Sequence, residues 1–158
     1  MAVSPSTLQG ENASLSGRAG EFAPHTHANA GTCTADGANG SCGPSSGASG
    51  SGYLGNWGEF ADQLAAWGNV SFSRTGSYRF TIRFQNGNTT TASRNVLVDG
   101  GVAGSTSLFS TGSWSSSSWG TVTVNVVVQQ GTHTIGLSVP SNDNFVNLDN
   151  VSISWVSA

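Results

Sequence analysis

The sequence predicts an all-β protein, an antiparallel β-sandwich of jelly-roll type, on three observations. β-Branched and aromatic residues alternate with polar ones in several runs, the period of a strand with one buried face. Turn signals rich in Gly, Asn and Asp separate those runs at short intervals. No long helical pattern competes with them. At 158 residues the chain fits a single domain, residues 1–158, long enough to bury a core.

Taken in order, Ser6 to Ser16 reads as a short opening strand with Gln9 and Glu11 pointing to one side. Residues 24–52 hold almost no large apolar side chain and read as one long loop. Tyr53 to Phe60 is aromatic and broken by glycine, and is expected to present Tyr53 or Trp57 on a rim. Ala61 to Trp67 fits either one helical turn or an irregular strand. Val70 and Phe72 then alternate, Thr75 to Ser77 turns, and Tyr78, Phe80, Ile82 and Phe84 alternate against Arg79, Thr81 and Arg83. Gln85-Asn-Gly-Asn88 is a turn signal, and Arg94 to Val98 is a strand closed by Asp99-Gly100. A polar loop from Thr111 to Gly120 carries two indoles, Trp114 and Trp119. It runs into Val122, Val124, Val126 and Val128 on one face, with Thr121, Thr123, Asn125 and the exceptional Val127 on the other. His133, Ile135, Leu137 and Val139 follow as a strand, and Pro140 to Asn144 as a loop. The last strand runs from Phe145 to Trp155, and its buried parity shifts between Leu148 and Val151 as a bulge would make it.

Composition narrows the function. Five basic residues stand against eight acidic ones, the basic residues are all arginine, and no basic stripe exists. Nucleic acid and anionic membrane surfaces are therefore excluded as natural partners. No apolar run approaches the roughly 20 residues that span a bilayer. Met1 followed by Ala-Val-Ser-Pro5 reads as the start of an excised mature domain. A surface of hydroxyls and amides fits a secreted, extracellular protein, expected to work as a monomer. Cys33 and Cys42 are expected to form a disulfide that staples the 24–52 loop in an oxidising compartment. With His25 and His27 they offer an alternative His/Cys zinc set, without the tight spacing of zinc modules.

Catalysis finds little support. Cleaving a glycosidic bond needs two carboxylates in an acid and base pairing. Of the acidic residues most fall in turns; Glu59 and Asp62 stand near Trp57, where solvated rim positions explain them equally well. His133 lies on the apolar side of its strand, the place of a satisfied sheet residue rather than of a base. The chain reads as non-enzymatic.

A set of motifs in register resembles the carbohydrate-binding modules of families 6 and 35. These are Leu8-Gln-Gly-Glu-Asn-Ala13, Gly76-Ser-Tyr78 with Ile82-Arg-Phe84, and Val98-Asp-Gly100. Thr111-Gly-Ser-Trp114 with Trp119, Gly131-Thr-His-Thr134 and Asn147-Leu-Asp149 continue the series, and the last leans toward family 35. The resemblance implies a non-catalytic module that binds polysaccharide or oligosaccharide and is attached to the catalytic domain of a secreted polysaccharide-degrading enzyme. It also implies a structural calcium at Gln9, Glu11 and Asp149, where Gln9 stands in place of a more usual acidic residue. The glycan site it implies maps to Tyr53, Trp114 and Asn147, with Asn144 nearby and Trp57 able to replace Tyr53. Such a site is chemically sensible, because the apolar face of a pyranose stacks on an indole or phenol while its hydroxyls need amides that donate and accept. Trp119 and Phe145 are expected in the core. The 24–52 segment exceeds the family pattern and is expected beside the binding end, and the sugar is expected to be neutral or calcium-bridged. A structural or adhesive sandwich, and a small hydrolase or lyase using Glu59 or Asp62, are the competing classes.

Overall fold

The structure, a computed structural model, describes residues 7–16, 47–50, 52–58, 61, 63–115 and 117–158, and the backbone of 25–28. The strands are β1 (Thr7–Gln9), β2 (Ser14–Ser16), β3 (His25–Ala28), β4 (Gly52–Trp57), β5 (Leu64–Phe72) and β6 (Gly76–Gln85). They continue with β7 (Ala92–Val98), β8 (Gly101–Leu108), β9 (Gly120–Val128), β10 (Gly131–Ser138) and β11 (Val146–Ser157). One sheet runs β3-β4-β11-β6-β9 with β1 also on β11, and the other runs β2-β5-β10-β7-β8. Every pairing between described strands is antiparallel. This is the β-sandwich that the alternation predicts.

The core lies between the sheets. Phe80, Ile82 and Phe84 of β6 and Leu148, Val151 and Ile153 of β11 face Trp67, Val70 and Phe72 of β5 and Ile135 and Leu137 of β10. Each such side chain contributes roughly 1.5–3 kcal/mol when withdrawn from water. β9 keeps its expected parity, with Val126 and Val128 buried and Val127 67% exposed.

Three elements differ from expectation. The opening segment is two strands, because a 3-10 turn at Gly10–Asn12 carries the chain from one sheet to the other. Of the two readings offered for the stretch before Val70, the irregular strand is the one found, since from Leu64 it belongs to β5. That strand is irregular because Gly68 and Asn69 together oppose Thr134, and Asn69 takes φ 58. The expected 24–52 loop contains β3, which pairs with β4. β8 had no counterpart in the sequence pattern; it is rich in Gly and Ser, and most of its residues are exposed. The bulge foreseen in the last strand is present, between Leu148 and Asn150.

Candidate functional site

Three loops meet at one end of the sandwich: residues 86–91 after β6, 109–119 before β9 and 139–145 before β11. A single buried amide ties them. Asn86 Nδ2 donates to the carbonyls of Thr90 and Leu108, each at 3.0 Å. Asn86 Oδ1 accepts from Asn88 N at 3.1 Å and Asn88 Nδ2 at 3.0 Å, and Asn88 Nδ2 also donates to Phe145 O at 2.9 Å. The Asn86 backbone exchanges bonds with Thr111, N–H to Oγ1 at 3.0 Å and carbonyl to N–H at 2.7 Å. A buried amide with these partners holds the loops rigidly, since leaving any one unpaired costs about 1–3 kcal/mol.

On this frame sits Trp114. Its indole is half-buried and stacks on the half-buried Phe145, ring centroids 5.6 Å apart and planes 16° from parallel. It approaches Gly87 so closely that a Cβ there would lie 2.4 Å from Nε1. Phe145, expected in the core, is thus the partner of the expected sugar platform. Below them Asn147 is fully buried and donates Nδ2 to Gln85 Oε1 at 2.9 Å, while Gln85 Nε2 donates to Ser115 O at 2.5 Å. Asn144 is half-buried and donates to Thr90 Oγ1.

Two aromatics stand elsewhere than on an open rim. Trp57 is 0% exposed and belongs to the core. The register shift between Val146 and Leu148 turns both Leu54 and Trp57, three apart, toward the interior. The guanidinium of Arg94 lies 4.8 Å from its ring centroid. Arg94 is itself fully buried and donates to the carbonyls of Ser93, Asn144 and Trp57 at 2.6, 2.9 and 3.3 Å. Burial lowers its pKa to about 10, and Asp143, 3.6 Å away, opposes that shift. Tyr53 is 1% exposed and meets Trp119 edge-on at 5.7 Å. Trp119, expected in the core, is half-buried outside it.

The residues assigned to a metal do converge. Asp149 is fully buried; its Oδ1 accepts from Ser49 N at 2.8 Å, and its Oδ2 from Asn150 Nδ2 at 3.0 Å. Ser49 Oγ lies 3.0 Å from both Asp149 Oδ1 and Gln9 Oε1. Gly50, at φ +61, has no room for a side chain, because a Cβ would come 2.6 Å from Glu11 Oε1 and 2.9 Å from Gln9 Oε1. A glycine cradle closed over by carboxylate, amide and hydroxyl oxygens suits a hard cation such as calcium. Among the described residues no three His, Cys, Asp or Glu side chains gather as a metal site, so the fit depends on the Gln9 and Ser49 oxygens. Arg83 joins the cluster too, its Nη1 2.6 Å from Asp149 Oδ2 and 2.8 Å from Gly47 O.

Ser49, Gln85, Asn86 and Arg83 were not singled out as site residues from the sequence. Gln85-Asn-Gly-Asn88 gave a turn signal, and nothing in the local pattern marks Asn86 as buried. His133 is satisfied, with Nδ1 2.6 Å from Asp99 Oδ2 and Nε2 2.8 Å from Gln129 O. The disulfide assigned to Cys33 and Cys42, and the residues Glu59 and Asp62, lie outside the described residues, as do the side chains of His25 and His27.

Comparison with known proteins follows the same lines. The family described as "Carbohydrate binding module (family 6)" matches residues 34–155. A cycloisomaltooligosaccharide glucanotransferase from Niallia circulans is 38% identical over 85 residues, 53% of this chain and 8% of that protein. Endo-1,4-beta-xylanase B from Cellvibrio japonicus is 30% identical over 86 residues, 53% of this chain and 14% of that protein. The chain thus spans a small part of either relative. In fold it is similar to a family 35 carbohydrate binding module from Clostridium thermocellum, with TM-score 0.68 and 22% identity, covering 96% of this chain and 100% of that one.

Proposed function

The chain belongs to carbohydrate binding module family 6, as a non-catalytic domain that binds carbohydrate, and from that premise we propose that it grips a neutral glycan at the Trp114 end. The observation that carries this reading is the half-buried Trp114, stacked on Phe145 above a buried amide frame. An indole held by a second ring loses little freedom when a sugar settles on it, so the stacking energy is not consumed in ordering the platform. Asn88, Asn144 and the hydroxyls of Ser113, Ser115, Ser117 and Ser118 supply groups at that end which both donate and accept.

The charge distribution supports a neutral ligand. Arg74 lies 4.0 Å from the Trp155 ring centroid, Arg83 holds Asp149 and Arg94 is buried. Arg79 projects from β6 opposite Asn125 and Ser154. Gln9, Glu11, Ser49 and Asp149 would hold a calcium ion, which would supply charge that fastens β1 and the 47–50 segment to β11. By analogy with the glucanotransferase and the xylanase, the module belongs to a larger secreted enzyme that acts on polysaccharide.

The test is binding to a panel of neutral and acidic polysaccharides (α-glucan, xylan, galactan, polygalacturonate) by affinity electrophoresis and calorimetry. Retention on a neutral polymer is expected, and Trp114→Ala should weaken it by tenfold or more, about 1.4 kcal/mol or above, while Tm changes little because Trp114 is outside the core. Binding by Trp114→Ala equal to that of the parent would refute the placement of the site.

A further inference from the structure

The Thr111–Trp119 loop sends its two indoles to different neighbours. Trp114 joins Phe145 at the proposed sugar end, whereas Trp119 meets Tyr53 edge-on and the guanidinium of Arg83 5.1 Å from its ring centroid. Arg83 is also the residue whose Nη1 lies 2.6 Å from Asp149 Oδ2. One side chain, 32% exposed, therefore touches both the oxygen cluster and the loop that carries the sugar platform.

We propose that Arg83 is a positioning residue, one that transmits cation occupancy of the Gln9–Glu11–Ser49–Asp149 cluster to Trp119 and so to the Thr111–Trp119 loop. This rests on the cation reading given above. The two oxygens of Asp149 have different donors, joined through Asn150 Nδ2, which also donates to Ser49 Oγ at 2.9 Å. Oδ1 faces Ser49 and the Gln9 side, and Oδ2 faces Arg83 and Asn150. The oxygens of Gln9, Glu11, Ser49 and Asp149 would hold a divalent ion, whose charge would weaken the hold of Asp149 Oδ2 on the guanidinium. The guanidinium then settles differently over the indole, since its attraction to the ring face depends on distance and alignment. The loop end moves with Trp119, while Gln85 Nε2 holds the same loop at Ser115 O, 2.5 Å away. Such coupling is reciprocal, so the energy that a cation transmits to the loop is returned when a sugar orders it.

The whole chain, with calcium ion alone as probe, tests this in two parallel titrations: heat of binding and tryptophan emission. Emission is expected to change saturably, with the midpoint found by calorimetry. Trp119→Phe should abolish most of that change. Arg83→Met should abolish it while leaving a heat of calcium binding, and Arg83→Gln, which keeps a donor to Asp149 without a charge over the ring, should do the same if the methionine variant folds poorly. Heat without an emission change in the parent chain, or a change that persists in both Arg83 variants, overturns the inference and leaves the cation reading standing. Absence of any calcium heat overturns both.

Discussion

A single methylene decides where Trp114 lies. At Gly87 a Cβ would fall 2.4–2.6 Å from three indole atoms, so Gly87→Ala must tilt the ring off Phe145. Overpacking of this kind costs about 1–3 kcal/mol. The expected outcome is a lowered Tm together with weakened glycan binding, read by scanning calorimetry and affinity electrophoresis. Residue identity told part of this in advance. The Trp114 loop stood out because two indoles share one Ser/Gly stretch, which by itself allows each to be a packing lid or a stacking platform. Trp57 was not legible, because its direction depends on the register shift opposite Val146 and Leu148, which depends in turn on a partner strand distant in sequence. Asn86 was hidden for the same reason: its burial is created by loops that meet only in three dimensions.

The turn between β7 and β8 shows how one element is fastened. Asp99, at φ 50, accepts from Thr134 N at 2.8 Å and from His133 Nδ1, while His133 Nε2 faces the Gln129 carbonyl. Both imidazole nitrogens face acceptors, so the protonated ring satisfies them best. The hydrogen bond that His133 donates to Asp99 is the main reason the His133 pKa is raised above 6.5 and the Asp99 carboxyl is lowered below 3.8. The signs follow. The His133 contribution is complete below the ordinary imidazole value and fades as pH rises through the raised one. The Asp99 contribution is complete above the ordinary carboxyl value and fades as pH falls through the lowered one. Tm should therefore be highest in mildly acidic solution, and its decline on the alkaline side should flatten in Asp99→Asn, as thermal melts between about pH 4 and 9 would reveal. Elements with strong alternation, β6, β9 and β10, were readable from the sequence. β8 was not, because its Gly and Ser residues have little to bury, and β1 and β2 merged into one until the turn at Gly10–Asn12 separated them.

At the level of the molecule, the alternating period was enough to give a two-layer sandwich, but not the order of its strands. Pairing follows from which edges remain open after hairpins close, and that is a property of the whole chain. One interior unites the two sheets, so a cavity there weakens everything at once. Phe80→Ala should cost about 3–5 kcal/mol and lower the unfolding midpoint of sandwich and glycan site together. Coincident transitions by far-ultraviolet circular dichroism and by tryptophan emission would establish this; separate ones would contradict a single core.

The strand at the centre of the first sheet is the last along the chain. β11 lies between β4 and β6 and also takes up β1, with Thr7 opposite Ser152. During synthesis, β1 must therefore wait for β11 before their ladder can form. Until Val146 and its successors leave the ribosome, β4 and β6 lack the strand that joins them. Closure of the first sheet therefore waits on long-range pairing, so folding of this domain should be slow.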